Sequence, residues 1–395
     1  MGGVSDTFWY LAPDMPERIR VLYLIPSMVQ GGAQRHVVEL MRNLDPARFE
    51  TSLCVVRPAS HLAAHLPEGE PRFLLDRPLF SPGAVAALAD VLETFKPHVL
   101  HAHLNDGNLL GRLAVKRAPV PAVVTSVHLD EMGWGYRQIE RMLWRRSDRI
   151  VGVSRGVGNY LTGRIGIPAE RVQVIVNGVD PSLFVPGTEA QKAEARQRFD
   201  VPPGAVSALM PARISWQKNQ DLVVEALGRL KDAGKLASDF RLLLAGGTSS
   251  LKLSRKVDRL ITQYGLEAQV KLLGVVKDMQ ALYWATSFAL IPSRTEGSSL
   301  AAFESMSAGL PVLISDRGNS DGAIIDGENG WQVPANDLAA LERALERIIA
   351  GEPASRDVLG VAGRKRVLEK FTAKRVARDF EDLYVAVLPK GAAAG

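Results

Sequence analysis

Residues 291 to 309 read IPSRTEGSSLAAFESMSAG, and the fold is decided by how this stretch is read. An apolar strand ending at Ile291 and Pro292 runs into a loop, Ser293 to Gly297. Serine is a good N-cap, so a helix is expected to begin at Ser298 or Ser299. Gly309 should stop it, with Pro311 beyond as a breaker. A small-residue loop entering a helix leaves backbone N–H groups unpaired. Those donors and the helix dipole make a ready phosphate site. Glu296 and Glu304, with seven residues between them, stand on either side of that corner. A carboxylate beside a phosphate is out of place unless it meets hydroxyls, and sugar hydroxyls suit both glutamates. The plain alternative is an ordinary strand, loop and helix with two surface glutamates.

Working outward, short apolar strands alternate with helical stretches in both directions. Strands are expected near residues 19–25, 51–56, 72–75, 99–101, 121–127, 150–153 and 172–176, and again near 206–211, 240–245, 270–273, 288–292 and 311–315. Such alternation argues for parallel, doubly wound sheets of the α/β class. A chain of 395 residues suggests two of them. Gly31 and Gly32 follow the first strand and precede an amphipathic helix, a second phosphate-type corner. The pair lacks the spacing of a dinucleotide fingerprint, and a tight turn explains it equally well. His101 and His103 end another strand. The spacing could hold a metal, but no third ligand lies nearby in the sequence. His128 stands at the carboxyl end of the strand 121–127, where ligands of open α/β sheets bind. The loop behind it holds Asp130, Glu131, Trp134 and Tyr136, a mixture of carboxylates and aromatic faces that suits sugar.

These motifs, in this order, resemble the retaining GT-B glycosyltransferases of family 4 over roughly residues 18 to 388. The signature is Pro292-Ser293, then Glu296-Gly297, Leu300 and Glu304. The run Val124-Thr125-Ser126-Val127-His128 is similar to the family's strand ending in Thr-x-x-His, and Asn177-Gly178-Val179-Asp180 to its exit into the linker. Ala212-Arg213 and Lys218 match its Gly-Arg-x-x-x-x-Lys, with alanine in place of the usual glycine. The resemblance implies a GT-B architecture of two Rossmann-like domains facing across a cleft, with a C-terminal helix crossing back. The expected layout is a tail at 1–17, an acceptor-side domain at 18–185, a donor domain at 186–372, and the crossover helix with a tail at 373–395.

The resemblance also implies roles. Arg213 and Lys218 would grip the donor diphosphate, together with the helix start at Gly297, Ser298, Ser299 and Leu300. Gly31 and Gly32 would lie against the diphosphate and sugar. Val275 would belong to the edge that reads the base. Glu304 would hold the ribose hydroxyls, Glu296 the sugar hydroxyls, and His128 the donor sugar. Trp134 and Tyr136 are the candidate acceptor contacts. The expected activity is retaining transfer from a nucleotide-diphospho-sugar to a carbohydrate, lipid-linked or small-molecule acceptor. No Asp-x-Asp motif is present, so neither a metal nor a cofactor is expected. A nucleotide-sugar epimerase, or a binding protein that has lost catalysis, would share the fold.

Composition adds bounds. The formal charge is +5, but the excess is spread evenly along the chain, so nucleic acid is not an expected partner. Cys54 is the single cysteine, which fits a reducing, cytoplasmic setting. The first 17 residues show no signal-peptide core, and no apolar run reaches the length of a membrane span. Arg137, Arg141 and Arg145 line one helix, which resembles those used for peripheral contact with the inner membrane. A solvated charged face is the other reading.

Overall fold

The computed structural model describes residues 17–29, 31–57 and 72–389. Most of the expected N-terminal tail and the stretch 390–395 lie outside them. Among the described residues the strands form two all-parallel sheets. The first holds β1 (Ile19–Ile25), β2 (Phe49–Val55), β3 (Arg72–Leu74), β4 (Val99–His103), β5 (Ala122–Val127), β6 (Arg149–Gly152) and β7 (Val172–Val174), in the order β3-β2-β1-β4-β5-β6-β7. The second holds β8 (Ser207–Pro211), β9 (Arg241–Ala245), β10 (Val270–Gly274), β11 (Phe288–Ile291), β12 (Val312–Ser315) and β13 (Gly330–Val333), in the order β10-β9-β8-β11-β12-β13. The GT-B architecture expected from the sequence is therefore present.

The inner strands are apolar on both faces because helices cover both. Val21, Tyr23 and Ile25 point to one side of the first sheet and Leu22 and Leu24 to the other, and all are buried. Strand order reverses at β1/β4 in the first sheet and at β8/β11 in the second. Crevices outside the carboxyl ends of strands at such points are where open sheets bind ligands. The Gly31-Gly32 corner follows β1, His103 ends β4, and His128 follows β5. Arg213 and Lys218 follow β8, and the loop 292–297 follows β11. Each candidate residue outside the acceptor loop, apart from Val275, thus sits at or one strand away from a switch point.

Two backbone crossings join the halves, and they are hydrogen-bonded to each other. Val179 N–H donates to the Phe371 carbonyl at 3.0 Å, and Ala373 N–H donates to the Val179 carbonyl at 2.8 Å. A Cβ on Gly178 would come within 2.7 Å of the Thr372 carbonyl carbon, so only glycine allows this approach. The helix Ala373–Val387 then crosses back onto the first sheet. Its Val376, Ala377, Phe380, Leu383 and Tyr384 join the same core as β1 and the helix Gly32–Asn43. Of the three arginines expected on one helix, Arg137 and Arg141 lie on Trp134–Leu143, while Arg145 lies in the short 3-10 turn Trp144–Arg146 that follows it.

Candidate active site

The corner after β11 forms as expected. Ser299 is the N-cap of the helix Leu300–Ser307, its hydroxyl accepting from Ala302 N–H at 3.4 Å, and Gly309 closes the end in the left-handed region at φ +82°. Ser298 Oγ donates to Asp321 Oδ2 at 3.1 Å. Asp321 Oδ1 accepts from Ala323 N–H at 3.1 Å. Burial lifts the Asp321 carboxyl to about 6.

The loop after β8 is laced to this corner. Gln217 Nε2 donates to the Thr295 carbonyl at 2.9 Å, and Arg294 N–H donates to the Gln217 carbonyl at 2.8 Å. Asn219, in the left-handed region at φ +68°, donates from Nδ2 to the Pro292 carbonyl at 3.1 Å. Lys218 is thereby brought onto Glu296, and the two form an ion pair. Ser293 Oγ donates to the same Glu296 oxygen at 3.1 Å. Arg213 is exposed and has no carboxylate partner among the described residues. Its backbone carbonyl accepts from Gln220 Nε2 at 2.8 Å. Val275 is exposed just past β10, after Gly274 at φ +65°.

Glu304 is 5% exposed, and both its oxygens are engaged. Tyr283 Oη donates to Oε2 at 2.8 Å. Arg35, from the opposite half, pairs with Oε1. The Glu304 charge raises the pKa of the Arg35 guanidinium further. Burial, with the same charge, pushes the Tyr283 phenol well up.

The halves meet elsewhere along this cleft. Thr295 donates to Asp130, and Gly156 N–H donates to the Ser320 carbonyl at 3.0 Å. A Cβ on Gly32 would lie 3.8 Å from Leu300 Cδ1. A Cβ on Gly297 would overlap the His128 carbonyl oxygen at 1.9 Å, so this glycine is required for the approach. His128 Nε2 lies 3.1 Å from His103 Nδ1. Burial drives the His128 pKa down to about 4, so the ring is neutral near pH 7.

The structure thus brings together Gly32, Arg35, Lys218, Glu296, Gly297, Leu300, Glu304 and His128. The two expected acceptor aromatics part company. Trp134 is 72% exposed at the start of its helix, while Tyr136 donates its hydroxyl to Asp106 and braces that loop. Sequence reasoning assigned no role to Arg35, Tyr283, Gln217 or Asn219. Arg35 had a local signal, since it stands one helical turn past Gly32 and so faces the same corner. Among the described residues no three His, Cys, Asp or Glu side chains converge as a metal-holding group.

Comparison with known proteins agrees with this fold. Residues 30–183 match the model of Glycosyltransferase Family 4, and residues 191–366 match that of Glycosyl transferases group 1. A D-inositol 3-phosphate glycosyltransferase of Salinispora tropica is 26% identical, over 94% of this chain and 85% of the relative. An alpha-maltose-1-phosphate synthase of Mycolicibacterium smegmatis is 27% identical, over 91% and 96%. In structure, HepE of Anabaena superimposes with a TM-score of 0.82 at 18% identity, covering 93% of this chain and all of that one. A sucrose-phosphate synthase of Thermosynechococcus elongatus gives 0.80 at 20% identity, over 94% and 99%. The chain belongs with the family 4-type GT-B enzymes and is a glycosyltransferase.

Asp321 yields a pH prediction. Its carboxyl titrates near 6 when folded and near 3.8 otherwise. Between those values the folded chain holds a proton that the unfolded chain has lost, so stability falls as pH rises through the window. Asp321→Asn keeps an acceptor for Ala323 N–H and cannot ionise. In urea unfolding it should gain up to about 3 kcal/mol over the parent above about pH 6, and the gain should vanish below about pH 4. A gain that is the same at both ends of the range would contradict this.

Proposed function

We propose that the enzyme transfers a sugar from a nucleotide-diphospho-sugar to a carbohydrate, lipid-linked or small-molecule acceptor, with retention of configuration and without a metal ion. The observation that carries the reading is the helix start at Ser299–Leu300 flanked by two buried glutamates, each already matched to a cation, Lys218 or Arg35. HepE was solved with UDP, with UDP and glucose, and with UDP-glucose, which supports a nucleotide-sugar donor.

In this reading the helix start, Arg213 and Lys218 receive the diphosphate. As the bond between the anomeric carbon and the phosphate oxygen breaks, negative charge builds on that oxygen. Fixed donors stabilise it there, as a metal would elsewhere. Glu304 takes the ribose hydroxyls, which requires Arg35 to part from it. Glu296 takes hydroxyls of the donor sugar beside the reacting carbon, and His128 contacts the same sugar. Glu296 is engaged by sugar hydroxyls in this reading, and the reaction runs on one face: the acceptor oxygen bonds to the anomeric carbon as the bond to the phosphate oxygen breaks, and the acceptor's proton passes to the leaving phosphate. Retention follows from that course.

A peripheral membrane contact is proposed on the helix Trp134–Leu143. Trp134 and Met142 are exposed there and Arg145 is exposed in the turn that follows, with Arg137 partly covered, the mixture that suits an anionic interface. Arg141 is spent structurally, donating to the Arg164 carbonyl at 2.8 Å. In flotation with anionic vesicles, the parent should rise with lipid and an Arg137→Glu/Arg145→Glu double variant should not. Equal flotation of the two would remove this surface from the account.

The two glutamates separate in a titration. Glu304→Gln should weaken plain nucleoside diphosphate by an amount on the order of 1.5 to 3 kcal/mol, because the ribose loses a charge-assisted partner. Glu296→Gln should leave that affinity nearly intact and cripple transfer. Isothermal titration with the nucleoside diphosphate, beside a transfer assay, decides it. Equal loss of affinity in both variants, or full turnover in both, would refute the assignment.

A further inference from the structure

The His-x-His pair at the end of β4 has a use that the transfer chemistry above leaves unassigned. Both rings are fully buried, on the same face of the strand, as a period of two requires. His101 is held at both nitrogens: Nδ1 lies 2.7 Å from Tyr384 Oη on the C-terminal helix, and Nε2 lies 2.7 Å from Ser126 Oγ. It ties that helix to the first sheet. His103 is different. Its Nδ1 lies 3.1 Å from His128 Nε2, and its own Nε2 is buried with no hydrogen-bond partner.

The backbone beside it is also unusual. Leu104, directly after His103, sits in the left-handed region at φ +66°. A bulky side chain is rarely found there, and such strain persists where the surroundings enforce it. The kink lets the helix Leu104–Ala114 start immediately at the strand end, with His103 itself as the N-cap. His103 uses no side-chain capping bond, so its ring stays under His128.

We propose that His103 is a positioning residue that fixes the tautomer of His128, so that His128 presents Nδ1–H as a hydrogen-bond donor to the donor sugar. One of the two facing nitrogens must carry the proton. If His128 Nε2–H donated, a neutral His103 would accept at Nδ1 and carry its own proton on the buried, unpartnered Nε2. That leaves an orphaned N–H, the costlier kind of unmet group. If His103 Nδ1–H donates, the orphan is only a lone pair. His128 Nε2 is then the acceptor, and its proton resides on Nδ1. Both rings are neutral, since burial holds each well below its usual range. His128 therefore acts by donating to a sugar oxygen and does not serve as a proton acceptor at Nδ1.

This inference rests on the donor-sugar role of His128, and the experiment keeps the two apart. The tautomer is read in ligand-free protein labelled with 15N-histidine, by long-range proton–nitrogen correlation. The His128 signals are those lost in His128→Gln. A proton on Nδ1 is expected, and a proton on Nε2 would overturn the proposal whatever the enzyme's activity. Turnover of His128→Gln tests the donor-sugar role alone. The second arm compares His103→Phe with His103→Asn, whose amide nitrogen stands about where Nδ1 was. His103→Phe should lower kcat by roughly 10-fold or more, by analogy with the loss of a hydrogen bond that orients a metal-bound histidine. Its affinity for nucleoside diphosphate should be unchanged and the His128 proton should move to Nε2. His103→Asn should recover most of the turnover and keep the proton on Nδ1. Equal turnover in the two variants, or a His128 tautomer that ignores both, would overturn it.

Discussion

The buried carboxylate of Glu304 is the constraint on which the rest of the cleft depends. It lies on a helix of the second sheet, yet one of its two partners, Arg35, comes from the first. A carboxylate this far from water needs its partners, because removing one leaves an uncompensated charge. The protein meets that need with its own side chains, and the Arg35 contact links the two halves over the site. Lys218 does the same for Glu296 inside the second half. In the proposed function, substrate replaces these contacts group for group, with ribose and sugar hydroxyls taking the place of a guanidinium and a phosphate taking up the ammonium.

That arrangement gives the fold its mechanical logic. The halves are joined by paired crossings at Val179 and at Phe371–Ala373, which are hydrogen-bonded to each other. The helix Ala373–Val387 anchors the return crossing in the core of the first sheet. Arg35–Glu304, Thr295–Asp130 and Gly156–Ser320 are contacts that a rotation about these crossings would have to break. Motions of this kind commonly gate substrate entry and product release.

Much of this was legible in the chain. The strand, loop and helix around Glu296 and Glu304, the glycine corner at Gly31-Gly32, and the placement of His128 at a strand end are local features. Local features follow from capping, periodicity and turn chemistry. What could not be read were the partners. Arg35 and Glu304 are 269 positions apart, and their contact depends on how two sheets pack. Tyr136 carried the right chemistry for an acceptor contact, but Asp106, 30 positions before it, takes its hydroxyl. The His-x-His spacing invited a metal, whereas the structure gives one ring to a helix at the far end of the chain and the other to His128. The left-handed conformation of Leu104, directly after His103, also leaves no mark in residue type.

The central claim is that Glu304 holds the ribose of a nucleotide in place of Arg35. The most direct measurement is the affinity of the ligand-free enzyme for the best-binding ribonucleoside diphosphate (of uridine, guanosine or adenosine) against its 2′,3′-dideoxy analogue. The account predicts that the analogue binds at least about tenfold more weakly, since it forfeits hydrogen bonds to a charged acceptor worth roughly 1.5 to 3 kcal/mol. Equal affinity for the two would contradict it.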